Sequence, residues 1–293
     1  MTAKSILKPI RPFQLMALLL SYALGGGLAQ YVEMIYDPMR LVQGGIFLLL
    51  VMMGLDYLKY LMALQEQRCW PKEATLPQVR QIRRITAIIV ATFFTVAATL
   101  VIRWQSEGTL WQGPVLLILV TLLFGVLEVL SARKAFLQPY LPLMDLALLV
   151  IIPPAFAFYL QTDAPHTFLL LAVLGLAPAY LAYALLEQLF QYEWDERLEL
   201  KTLGTMLGWE NIMALHNYLI LFAYVLMALT SLLGMPWFIL WPVFLTLPIG
   251  LLEIWLMERV RNGGKPLWAV MRIATGSVYV IPAYLLAFAF WVR

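Results

Sequence analysis

The sequence predicts an all-α integral membrane protein of nine transmembrane helices, and three observations carry that expectation. Of the 293 residues, 62% are hydrophobic and 13% charged, with a mean hydropathy of +0.82; a soluble domain has roughly 45–50% and about 25%. Apolar runs of about 20 residues, enough to cross a hydrocarbon layer ~30 Å thick, recur along the whole chain. Lys and Arg gather in every second connection between those runs. A water-soluble enzyme and a disordered chain are excluded, because neither carries so much apolar surface. The net charge of +3 is too small and too dispersed for nucleic-acid binding. One cysteine, Cys69, leaves no internal disulfide and few thiolate metal sites. No cleavable signal is expected, since the first apolar run starts at Phe13 and no small-residue cleavage site precedes the next loop.

In order, the runs fall at about 13–34, 41–65, 84–102, 110–131, 136–160, 165–190, 212–233, 237–257 and 268–292, within one transmembrane domain spanning 1–293. Helices are required because backbone polar groups in hydrocarbon must be satisfied within the segment, and the runs are too uniformly apolar for alternating barrel strands. Arg11-Pro12 opens the first, which carries the small residues Gly25-Gly26-Gly27. Pro153-Pro154 in the fifth and Pro178 in the sixth read as kinks tolerated in packed spans. Trp237, Trp241 and Trp268 read as interfacial anchors. His166 and His216 stand alone and are assigned no role.

Orientation follows from the basic residues. Lys4, Lys8, Arg11, Arg68, Lys72, Arg80, Arg83, Arg84, Arg133, Lys134, Arg197, Lys201, Arg259, Arg261, Lys265 and Arg272 fall on one side; only Arg40, Arg103 and Arg293 fall on the other. The expectation is a protein of the cytoplasmic membrane, N-terminus inside and C-terminus outside. The two longest cytoplasmic connections, about 66–83 and 191–211, are the places where a rigid scaffold would carry chemistry.

Ionisable residues inside spans are costly, by at least roughly 2.5–3.5 kcal/mol near a helix centre, so each needs a reason. Asp56 and Lys59, three apart in the second span, share a face and can neutralise each other. Glu128 and Glu253 lie within two turns of Arg133 and Arg259 and are expected to reach toward them. Asp145 and Glu187 complete the set. Glu187, Gln191 and Asp195, at spacing four, form one stripe entering the second long loop.

At this point the chain resembles the UbiA superfamily of intramembrane prenyltransferases, and within it the branch that prenylates dihydroxynaphthoate for menaquinone synthesis. The resemblance runs through Arg11-Pro12-Phe13-Gln14-Leu15, Leu55-Asp56-Tyr57-Leu58-Lys59, Pro71-Lys72-Glu73, Arg133-Lys134, Asp145, and Phe158-Tyr159-Leu160-Gln161-Thr162. It ends in Asp195 through Thr202-Leu203 to Leu207-Gly208. It implies two Asp-rich motifs facing each other across a cytoplasm-side cavity, holding Mg²⁺ against an allylic diphosphate. In such chemistry the metal acts as Lewis acid and template, and hard oxygen ligands suit it. The motifs are degenerate: Lys59 stands where the family has its second Asp, and Gln191 where the other motif has its first.

Two functions follow from the resemblance. One is transfer of an isoprenoid from a prenyl diphosphate to an aromatic quinone precursor. Asp56 and Asp195 would then hold Mg²⁺, Asp145 would orient or deprotonate the acceptor, and Lys59, Gln188, Gln191, Arg133, Lys134 and Lys201 would line the substrate. The alternative is a catalytically silent relative that binds an isoprenoid, quinone or pigment, with partner subunits of a larger membrane complex. The lipid bilayer is a partner in both, and nucleic acid in neither.

Overall fold

The computed structural model describes residues 11–34, 36–65, 76–108, 110–131, 134 and 136–292. Nine of its helices are long and apolar enough to cross a membrane: α1 Pro12–Glu33, α2 Pro38–Ala63, α3 Leu76–Ser106, α4 Gln112–Ser131, α5 Gln138–Tyr159, α6 Thr167–Arg197, α7 Trp209–Leu232, α8 Trp237–Arg261 and α9 Trp268–Val292. The expected all-α membrane architecture is present, and no strand occurs among the described residues.

Local chemistry explains several helix ends. Pro12 and Pro38 open α1 and α2, where a missing N–H is no loss. Asp37 caps α2, its Oδ1 accepting from the amides of Met39 at 3.0 Å and Arg40 at 3.1 Å. His166 caps α6, its Nδ1 accepting from the Phe168 amide at 3.2 Å, which gives this histidine a structural task the sequence left open. In α5, a π-helical turn over Ala147–Ile151 precedes Pro153-Pro154. Such a bulge absorbs the register change that a proline, lacking a donor, imposes on the ladder.

Two expected boundaries are corrected. Helix α3 begins at Leu76, not near residue 84, and α6 runs on to Arg197, not to about 190. Each has 31 residues, about 46 Å at 1.5 Å per residue, so both project beyond the hydrocarbon. Hydropathy ends a span where charge begins, but a helix in water or headgroups does not need apolar residues to continue. The expected loop at 191–211 therefore shrinks to a connection interrupted by the short helix Leu203–Leu207. Most of the expected loop at 66–83 lies outside the described residues.

The bundle packs α1 against α9 and the second half of α5, α6 against α7 and α9, and α8 against α7 and α9. A Cβ on Gly25 would stand 2.0 Å from the Pro154 carbonyl oxygen, so only glycine permits the α1–α5 approach. By contrast α3 packs mainly on α2, and only 17% of its most apolar stretch is buried. It is the helix with most of its surface left for lipid.

Candidate functional site

A polar cluster forms where the starts of α1 and α5 meet the ends of α2 and α4. The Nζ of Lys59 lies 2.8 Å from Asp56 Oδ1 and also bonds Glu128 Oε1 of α4. The Asp56–Lys59 pair read from spacing is present. Glu128 is its unforeseen second partner: it is 1% exposed and turns to Lys59 across the α2–α4 interface. Its other oxygen, Oε2, is buried with no hydrogen-bond partner among the described residues. Asp145 is buried in α5, within electrostatic range of Glu128, Lys59 and Arg11. It accepts a long hydrogen bond, 3.4 Å, from Gln14 Nε2 of α1. Arg11 precedes α1. Desolvation beside the bundle works against its charge, and the fields of Asp56, Asp145 and Glu128 outweigh that and raise its pKa. Three carboxyl groups and two cations thus share one corner of the bundle.

The packing around the start of α1 is aromatic. Phe13 stacks on Tyr183 with ring centroids 3.6 Å apart. Tyr180, near enough to Asp145 to feel its charge, meets Tyr279 at 5.4 Å edge to face. Ser21 and Tyr279 share a buried hydrogen bond of 2.7 Å.

The polar stripe on α6 divides. Glu187 is held by Arg272 of α9 through two bonds, 2.5 and 2.8 Å, and the guanidinium carbon sits 4.2 Å over the Phe190 ring. Gln191 is exposed. Asp195 is buried near the helix end, with Thr202 as side-chain neighbour, and its backbone carbonyl accepts from the Leu200 amide at 2.9 Å. It lies fifteen residues beyond Tyr180 on the same helix, about 22 Å along the axis. Gln188 is engaged structurally: its Oε1 accepts from the Gly204 amide at 2.9 Å and pins the short helix 203–207 to α6. Lys134 and Lys201 are exposed, and the Lys201 amide donates to Gln138 Oε1 at 3.2 Å. Arg133 lies outside the described residues.

Glu253 departs from its expected reach toward Arg259. It is fully buried, and its Oε1 faces His216 Nε2 across 3.8 Å, too far for a hydrogen bond. Neither that nitrogen nor either Glu253 oxygen has a hydrogen-bond partner among the described residues.

No protein-family profile matches the chain, and no curated protein matches it in sequence. Solved structures do match. A UbiA homolog from Archaeoglobus fulgidus bound to Cd²⁺ aligns over 96% of this chain and 99% of its own, with a TM-score of 0.54 and 15% identity. The apo structure of a UbiA homolog from Aeropyrum pernix K1 covers 97% and 98%, at TM-score 0.53 and 12% identity. The chain has the UbiA fold. At that identity the likeness speaks for the architecture, and the site must be read from this chain's own residues.

A divalent cation is the group the sequence resemblance implies, and the carboxylates around Lys59 do not fit it. Mg²⁺ needs carboxylates free to accept the metal, with waters and phosphates completing an octahedron. Here an Asp56 oxygen already holds an ammonium group, as does the inner oxygen of Glu128. Among the described residues no group of three or more His, Cys, Asp or Glu side chains stands as a metal site. A metal at Asp56 would have to displace Lys59.

Proposed function

We propose that this UbiA-fold protein binds an isoprenoid-tailed quinone, a related pigment or their precursor without metal-assisted ionisation of a diphosphate. The observation that carries the reading is the Lys59 ammonium group lodged between Asp56 and Glu128, at the position where the resemblance puts a metal-binding Asp. An internal cation offsets the charge of those carboxylates with no recruited metal, and gives each of them an opposite charge beside it. The apolar and aromatic wall of Phe13, Tyr180, Tyr183 and Tyr279 suits a ring headgroup, with Gln14, Asp145 and Arg11 as polar contacts at its edge. In this reading the N-terminus lies in the cytoplasm, the cluster faces that side, and the protein works within a larger membrane complex.

Extraction of lipid from the purified protein tests the reading, with an isoprenoid quinone or pigment expected at about one per chain. Incubation with prenyl diphosphates, dihydroxynaphthoate and Mg²⁺ is expected to yield no prenylated product. Turnover would overturn it. A second reading, aromatic prenyl transfer of the menaquinone type, is favoured by one observation: Asp195 is buried with no cationic partner among the described residues. Product formation abolished by Asp195→Asn would establish that reading in place of the first, with Asp56 and Asp195 as ligands of Mg²⁺. Lys59, Gln188, Gln191, Arg133, Lys134 and Lys201 would then lie along the diphosphate.

A further inference from the structure

Outside the polar cluster, the end of α2 and the start of α3 border an open recess of about 320 Å³ lined by Leu61, Gln65, Arg80, Arg83, Arg84 and Ala87. Its size is that of a small-ligand site. None of the lining residues is acidic, and the three arginines have no ion-pair partner among the described residues. Arg80 and Arg84 are four apart, with Arg83 between them, so one helical face carries three like charges. Such pairs repel, and a bound anion would relieve the arrangement. Arginine's planar fork of donors matches phosphate oxygens.

The surroundings indicate where that anion comes from. The first turns of α3 project beyond the apolar part of the helix, which places the recess at headgroup level. One turn beyond Arg84, Ile88 is 60% exposed, and the exposed apolar surface continues through Val96 to Ile102, 69% exposed. A phosphate seated on the arginines would thus have an uncovered hydrocarbon-facing helix directly beneath it. We propose that this recess binds the phosphate of an anionic phospholipid, whose acyl chains run along α3. The shared chemistry is a phosphate oxyanion; free inorganic phosphate is the other source, and the experiment separates the two.

The purified full-length protein in mild detergent is offered phosphatidylglycerol, phosphatidylcholine or inorganic phosphate, and retained ligand is counted by native mass spectrometry. Wild type is expected to keep phosphatidylglycerol in preference to phosphatidylcholine. The triple variant Arg80→Gln, Arg83→Gln, Arg84→Gln should bind it at least ~10-fold more weakly. All three side chains are exposed, so the core is untouched; each single Arg→Gln change, with an expected loss of about two- to fivefold, keeps the test decisive if the triple variant is unstable. Millimolar inorganic phosphate that binds the recess and displaces the lipid would identify the phosphate chemistry as right and its source as free anion. Equal phosphatidylglycerol retention by wild type and every variant, or equal retention of both lipids by wild type, would overturn the proposal. None of these outcomes depends on turnover or on quinone content.

Discussion

The two places where the resemblance expects metal-binding carboxylates have met opposite fates. On α2, Asp56 shares a cation with Glu128 of another helix and lies beside Asp145 and Arg11, so each charge has a neighbour of opposite sign. On α6, Asp195 has Thr202 beside it and no cationic partner among the described residues, while its stripe-mate Glu187 is held by Arg272. The difference teaches that the carboxylates of the first place are held by an internal ammonium group, whereas Asp195 has no cationic partner among the described residues. A buried charge needs a counter-charge; one close to a helix end can find water instead.

The largest effect expected from breaking this asymmetry is at Lys59. Lys59→Met strands Asp56 and Glu128 in a buried corner and should cost about 3–5 kcal/mol, read as a lowered unfolding midpoint in detergent. The double variant Lys59→Met with Glu128→Gln should recover a good part of that loss. A Lys59→Met protein as stable as wild type would remove the ammonium from the centre of the account.

Next in size is Gly25→Ala, which drives a methyl group into the Pro154 carbonyl and should destabilise the α1–α5 contact by about 1–3 kcal/mol or more. It serves as a packing control, since it disturbs the same bundle without touching a charge.

The Glu253–His216 pair sharpens the comparison from the other side. Its facing atoms, His216 Nε2 and both Glu253 oxygens, are buried with no hydrogen-bond partner among the described residues, so the double variant Glu253→Met with His216→Leu should be neutral or stabilising, by up to ~1–4 kcal/mol. A clear loss of stability there would show that this pair holds a bonding partner such as an internal water. The smallest effect belongs to Asp195: Asp195→Asn keeps shape and polarity and should move stability by less than about 1 kcal/mol.

What the sequence made legible, and what it did not, divides along the same physical line. Properties encoded over short distances were readable: apolar length set the spans, and Asp56 and Lys59 disclosed their pairing by a spacing of three. Partnerships across the bundle were not. Nothing near Glu128 in sequence marks Lys59, 69 residues earlier, as its partner, and nothing near Glu187 marks Arg272, 85 residues later. Glu128 and Glu253 each have a cation nearby in sequence, which made outward reach the natural expectation; tertiary packing instead turned both inward. The extra turns of α3 and α6 escaped because hydropathy sees only the part of a helix that meets lipid.

The most direct measurement is a titration of the purified protein with Mn²⁺, as a spectroscopic stand-in for Mg²⁺, followed by electron paramagnetic resonance. With Lys59 lodged on Asp56 and Glu128, wild type should show no saturable site, and Lys59→Asp should gain one. A one-to-one site in wild type that is lost on Asp56→Asn would contradict the account.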